Sequence, residues 1–300
     1  MTDGVRMESI ALIGLPFYTL SRHRGMGMAV RVLRELGLSD SLKGGGRSLT
    51  DLGDVTLSEI VQDSGPANLR NFPQFHQDTE TVSHDASRIS SDDFAFCVGG
   101  ECTFIVGALA VLRRKFEGKP GILWMDAHGD FNTPETTPSG FIGGMCLAFA
   151  AGRGPKLSPE IENLRPLLTE ENIVHLGSRA LDPLEARAME SSPLRLYPEQ
   201  QVRREGIERV AKEAAEYLAD RADWIICHWD VDVTDPAEIE AVNFPEKGGL
   251  ALHQIRNVVE ALERTGKLRV FDLAAYNPLL DDETKSAGRK VLNLVSEIFS

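Results

Sequence analysis

"GILWMDAHGDFN", residues 121–132, is the stretch that decides how this chain folds. An apolar run, Gly121–Met125, ends in Asp126, His128 and Asp130 at alternate positions, with Asn132 one step further. Side chains on a strand alternate between faces, so the three polar residues share one side if the strand continues through them. They stand at a strand's carboxyl end, where open α/β sheets take their ligands. Two buried carboxylates beside a histidine demand cations, because an unpaired buried charge is costly. Read in isolation, the stretch also admits a blander account, an acidic loop with a stray histidine.

Working outward, short apolar runs alternate with amphipathic stretches along the whole chain, the rhythm of a parallel sheet with helices on both faces. Strands are predicted at 9–17, 94–100, 121–126, 172–178, 194–198, 223–232 and 268–278. Helices are predicted at 25–37, 103–116, 202–219, 252–266 and from about 283 towards 298. The strands are continuously apolar rather than alternating, as in a sheet covered on both faces. "SLKGGGRSL" (41–49) reads as a mobile loop, and the polar, poorly periodic residues 62–92 as a surface excursion. With no repeat, low-complexity tract or Pro/Gly-rich linker, residues 1–300 read as one doubly wound, three-layer α/β/α domain.

Bulk composition narrows the function. The 300 residues carry 45 acids against 32 bases, a net charge of −13, which argues against nucleic acid or an anionic membrane surface as partner. No stretch approaches the ~18 apolar residues of a membrane helix, and residues 1–18 lack a leader's long apolar run and cleavage signature. Cys97, Cys102, Cys146 and Cys227 are scattered through apolar segments without the density of a disulfide scaffold, so a reducing cytoplasm is expected.

A second stretch repeats the first device. In "ICHWDVDVTDP" (226–236) an apolar strand runs into Asp230 and Asp232, and Asp235-Pro236 turns the chain. Two strands that each deliver carboxylates to their C-terminal ends look like halves of one binuclear metal site. Oxygen-rich ligation with a single imidazole favours Mn²⁺ over Mg²⁺, Ca²⁺ or Zn²⁺. Two such ions would share a water and acidify it into a nucleophile at neutral pH.

"DAHGDFN" (126–132) and "HWDVDVTDP" (228–236) resemble two signatures of the ureohydrolase superfamily, which includes arginases, agmatinases and formiminoglutamases. That family's glycine-pair motif, Gly-Gly-Asp-His, takes the form "GGECT" (99–103) here. The resemblance runs from "ALIGLPF" (11–17) to "AAYNPLLDDETKSAGRKV" (274–291). It implies Asp126 and Asp230 as bridging carboxylates, Asp130 as ligand to one metal and partner of the attacking water, and His128 with Asp232 as ligands to the other. It implies Asn132 and Ser139 as anchors for the amino-acid end of a small-molecule substrate. "GSRALDPLE" (177–185) would add Asp182 for the α-amino group and Glu185 as its support. Capping of a following helix is the plainer reading of Asp182 and Glu185. The resemblance also implies a homo-oligomer, a trimer or hexamer.

Three departures shape the expected activity. Cys102 stands where the family has a histidine ligand; a thiolate suits Mn²⁺ poorly, so one of the two Mn²⁺ positions is expected to be weak or empty. Gly143 stands where arginases carry a proton-shuttling histidine, and glycine cannot act as an acid. His228, two residues before Asp230, is the candidate replacement, against the alternative of a core histidine. Ala275 stands where arginases hold the guanidinium with a glutamate, and Asp272 is a poor substitute. Together these departures resemble the Nω-hydroxy-L-arginine hydrolases, whose substrate is less basic than a guanidine. The expected reaction is therefore hydroxyarginine to ornithine and hydroxyurea. A simple arginase is the nearest rival, agmatine-type amidine hydrolysis comes next, and a non-catalytic metal-binding relative is the alternative of another class.

Overall fold

Every strand that reads as continuously apolar joins one sheet, six of them as inner strands and 194–198 at its edge. In the computed structural model, which describes residues 9–300, the strands are β1 (Ser9–Leu15), β2 (Ser48–Asp54), β3 (Phe94–Gly99), β4 (Pro120–Met125), β5 (Ile173–Leu176), β6 (Arg195–Tyr197), β7 (Trp224–Asp230) and β8 (Leu268–Ala274). They form an 8-stranded sheet in the order β2-β1-β3-β8-β7-β4-β5-β6, and all the pairings are parallel. β3, β4 and β7 are buried along their whole length, as both-face coverage requires. Residues 1–8, part of the segment read above for a leader, lie outside the described residues.

The longer helices are α1 (Ala29–Glu35), α2 (Phe72–Asp85), α3 (Phe104–Lys115), α4 (Pro183–Ser191), α5 (Glu199–Glu205), α6 (Ile207–Ala219), α7 (Leu252–Glu263) and α8 (Ser286–Phe299). One apolar cluster joins α1, α6, α7 and α8 to the face carrying Phe96, Leu123, Cys227 and Phe271. A second joins α2 and α3 to the face carrying Cys97, Trp124, Ile226 and Ala274. The result is a three-layer α/β/α domain. None of the helices is long and apolar enough to cross a membrane, among the described residues.

Several expectations need correction. Within 41–54 the chain forms the edge strand β2, whose largely exposed residues carry no apolar signal, so only the loop before it was legible. Residues 62–92 contain the 14-residue helix α2, whose buried face mixes Phe75 and Val82 with Asp78, Thr79 and Ser83 and so hides its period. The helix expected over 202–219 is split by Gly206 at φ 84°, which suits glycine. The last helix starts at Ser286 rather than near 283.

Register places one polar row across the sheet. Cys97 on β3 pairs with Asp272 on β8, Asp272 with His228 on β7, His228 with Trp124 on β4, and Trp124 with His175 on β5. Two residues further along the same strands come Asp126 and Asp230, the latter in register with Ala274. The row therefore lies directly beneath the carboxylates at the C-terminal edge.

Candidate active site

The carboxylates converge, though not by continuation of a strand. β4 ends at Met125, and only the Asp126 N–H still pairs with the sheet, donating to the Leu176 carbonyl at 3.1 Å. Beyond it the chain turns, with Asp130 at φ 50°, a left-handed conformation uncommon for a non-glycine residue. The alternation expected over 126–130 is thus replaced by a loop. Short bonds fix its carboxylates instead. The His128 N–H donates to Asp126 Oδ1 at 2.7 Å, the Asp232 N–H to Asp230 Oδ1 at 2.7 Å, and the Ala127 N–H to Asp232 Oδ1 at 3.2 Å.

Two sets of donor atoms gather within 4.8 Å of one another: Cys102, Asp126, His228 and Asp230 form the first, Asp126, His128 and Asp232 the second. In the first, the Cys102 thiol donates to Asp230 Oδ2 at 2.9 Å and Trp124 Nε1 to Asp126 Oδ2 at 3.1 Å. In the second, His128 Nδ1 lies 3.1 Å from Asp232 Oδ2 and 3.5 Å from Asp126 Oδ1. Asp130 stands outside both sets; it accepts from the Cys146 thiol at 3.3 Å and faces the pocket.

Crowding sets the protonation. Burial and then Asp232 raise the Asp126 carboxyl; burial and then Asp126 raise Asp130; burial and then Asp232 raise Asp230. Burial alone would raise Asp232 too, yet His128 holds it below the usual range. Burial would lower His128, but Asp232 and Asp126 push it up to about 12. Burial, reinforced by Asp230, pushes the Cys102 thiol up. A divalent cation would bind these carboxylates and displace the protons that crowding forces them to hold. The oxygen-dominated donors fit Mn²⁺, with Cys102 Sγ the one soft atom.

Above this floor opens a cavity of about 440 Å³, lined among others by Asn132, Ser139, Asp182, Glu185, Phe141, Phe244 and Ala275. Asn132 Nδ2 donates to Asp182 Oδ2 at 2.9 Å, and Ser139 stands exposed at the rim. Asp182 is the N-cap of α4, and Glu185 Oε2 accepts its N–H at 3.1 Å, so the capping reading holds for this pair. Glu185 does more: its Oε1 accepts the Phe131 N–H at 2.9 Å, tying the helix to the metal loop. A side chain at Gly129 would come within 2.6 Å of that carboxylate, hence the glycine there. Burial raises Glu185 to about 7.

Two of the departures, Gly143 and Ala275, can be followed in the structure. A Cβ at Gly143 would lie 2.1 Å from the Phe141 ring, so the place of the missing histidine is filled by that ring. Ala275 sits at φ 68° with its N–H bonded to the Gly100 carbonyl at 2.7 Å. His228, expected to carry the proton, is fully buried, stacked on Trp124 at 3.5 Å and paired with Asp272, and does not line the cavity. It cannot reach a leaving amine, and the shuttle expectation is corrected accordingly. Asp272, discounted as a guanidinium partner, serves His228 instead.

Sequence reasoning missed several residues here. Trp124 precedes Asp126 by two, and strand alternation could have found it. Glu101, beside Cys102, is buried; its Oε2 accepts from the Thr19 N–H and hydroxyl at 2.8 and 2.6 Å, and its Oε1 lies 3.1 Å from His23 Nδ1. His23 in turn meets the Phe141 and Phe244 rings edge-on at 4.8 and 5.3 Å. No local signal foretells that wall.

Comparison with known proteins agrees with this geometry. The arginase family profile matches residues 8–299. The arginase of Bacillus caldovelox is 30% identical over 284 residues, covering 94% of this chain and 95% of its own. The arginase of Bacillus subtilis is 29% identical over 294 residues, with 97% of each covered. The solved structure of the Bacillus caldovelox arginase matches with a TM-score of 0.90 and 30% identity, over 98% of this chain and 99% of that one. The chain belongs to the arginase family. Its enzymes hydrolyse carbon–nitrogen bonds in linear amidines and use a binuclear Mn²⁺ site.

Proposed function

Since this is an arginase-family chain, we propose that it cleaves the amidine carbon–nitrogen bond of an arginine-like amino acid to release ornithine, with Nω-hydroxy-L-arginine turned over faster than L-arginine. The observation that carries the preference is the guanidinium end of the pocket. Ala275 offers no carboxylate, and the oxygens of neighbouring Glu101 are already engaged by Thr19 and His23. At position 275 a fully charged guanidinium therefore finds no carboxylate, while a less basic hydroxyguanidine has less need of one. The paired Asn132 and Asp182 support an α-amino acid end over agmatine.

Asp126, Asp230, His128, Asp232 and Cys102 would hold two divalent ions, which supply Lewis acidity and lower the pKa of water. Asp130, on the cavity wall, accepts the attacking water's proton and returns it to the leaving nitrogen as the carbon–nitrogen bond breaks. Asn132, Asp182 and Ser139 orient the amino-acid end. Phe141 and Phe244 exclude bulk water from the reacting carbon.

L-Arginine hydrolysis is the second reading, favoured by relatives named arginase at about 30% identity over nearly the whole chain. Ornithine release from both substrates, measured side by side with Mn²⁺-loaded protein, separates the two. Faster release from L-arginine overturns the preference, and release from neither overturns the enzymatic reading.

A further inference from the structure

We infer that His228 is a ligand of the first metal, giving from β7 the imidazole that Cys102 no longer gives from the glycine-pair turn. The inference rests on the metal-dependent reading above and adds a donor to it. One ring nitrogen of His228 lies within 4.8 Å of donor atoms of Cys102, Asp126 and Asp230. Nδ1 is paired with Asp272 Oδ1, which leaves Nε2. Both ring nitrogens are fully buried and neither makes a hydrogen bond, but Nδ1 has the Asp272 ion pair and Nε2 has no partner at all. A buried nitrogen left so is costly unless something occupies its lone pair.

The surroundings are those of a ligand rather than a core residue. An imidazole that binds metal through one nitrogen usually gives its other N–H to a carboxylate, which fixes ring and tautomer. Asp272 is that carboxylate, set opposite His228 by the β7–β8 register and fully buried with it. Trp124 stacks on the ring at an interplanar angle of 12°, and its Nε1 holds Asp126 Oδ2, so one indole orients two donors. Asp130 stands outside this group of donors, one of its oxygens accepting from the Cys146 thiol. The first position thus offers one nitrogen, one sulfur and two carboxylates, a borderline-soft set that prefers Co²⁺ or Zn²⁺ to Mn²⁺, whereas the second position keeps oxygen and one imidazole.

The test uses the full chain, stripped of metal and titrated with Co²⁺, read by metal analysis and by proton NMR of hyperfine-shifted imidazole N–H signals. Two such signals are expected with both positions filled, from His128 and His228. His228→Asn should lose one signal and weaken one Co²⁺ equivalent at least tenfold while keeping the other. Asp272→Asn, which keeps the ring, should weaken the same equivalent about 10–100-fold. Two bound ions with a single imidazole signal, or unchanged affinity in both variants, overturns the assignment. If His228→Asn does not fold, the parent spectrum and Asp272→Asn decide. Ornithine release by the parent is a separate readout: loss of turnover with both signals present sinks the functional reading alone, and a parent that binds no Co²⁺ sinks both.

Discussion

The two donor sets differ in how they are built. The second, Asp126, His128 and Asp232, is tied by backbone bonds that reach across two residues or between adjacent loops, and its imidazole is 26% exposed towards the cavity. The first, with Cys102, His228 and Asp230, is assembled from separate strand ends, is buried, and rests on a row of buried polar residues. The second set follows the family's pattern residue for residue. The first departs from it at Cys102, which the His228–Asp272 pair and the Trp124 ring surround. Local geometry preserves a motif; a site made by register across strands can exchange donors.

The sharpest break in the comparison falls on the carboxylates that both sets depend on. Asp126 is common to the two, and Asp230 orders Asp232 through its backbone N–H. Asp126→Ala and Asp230→Ala are each expected to lose both metal equivalents and reduce ornithine release to background, read by metal analysis and a turnover assay. Co²⁺-loaded parent is expected to show a thiolate-to-metal absorption, and Cys102→Ser should remove it while sparing the second equivalent. Retention of that band would remove Cys102 from the first set.

Installing the family's histidine is expected to fail. At Gly143 a side chain meets the Phe141 ring at 2.1 Å, and that ring packs in turn on Phe244 at 5.7 Å. Gly143→His should cost about 1–3 kcal/mol by overpacking, seen in denaturant unfolding, with no gain in turnover. The paired change with Phe141→Ala should recover the stability. If the single variant is neutral and faster, the ring is not the reason the histidine is missing.

How much of this was legible in sequence follows the same division. Asp126 and His128, like Asp230 and Asp232, stand at a spacing of two because the second residue's N–H bonds the first one's carboxylate, and such a bond leaves a fixed sequence interval. Asp182 and Glu185 show the interval of a capping pair. Inner strands were legible from continuous burial. The edge strand β2 and helix α2 were not, because their faces are exposed or polar. The Asp272–His228–Trp124 row needs the strand order, which parity along one strand cannot supply. Phe141 behind Gly143 is a ring folded back through space, with no periodicity to announce it.

The smallest expected effect is on pH, and it separates metal-free from metal-loaded protein. Without metal, burial holds Glu185 at about 7 against a usual 4.5, and Asp126, Asp130 and Asp230 are raised above 3.8. An acid raised in the folded state binds its proton more tightly there than in the unfolded chain. Its stabilisation is complete below the unfolded pKa and lost as pH rises through the folded one. Metal-free protein should therefore lose melting temperature between about pH 4.5 and 7, where Glu185 titrates. Mn²⁺ competes with the protons on the three aspartates, so its stabilising effect should grow as pH rises. Glu185→Gln should flatten the metal-free slope without weakening metal binding, because this residue holds the Phe131 N–H rather than a metal. A slope unchanged by that substitution would assign the pH response to the aspartates alone and leave Glu185 as a cap.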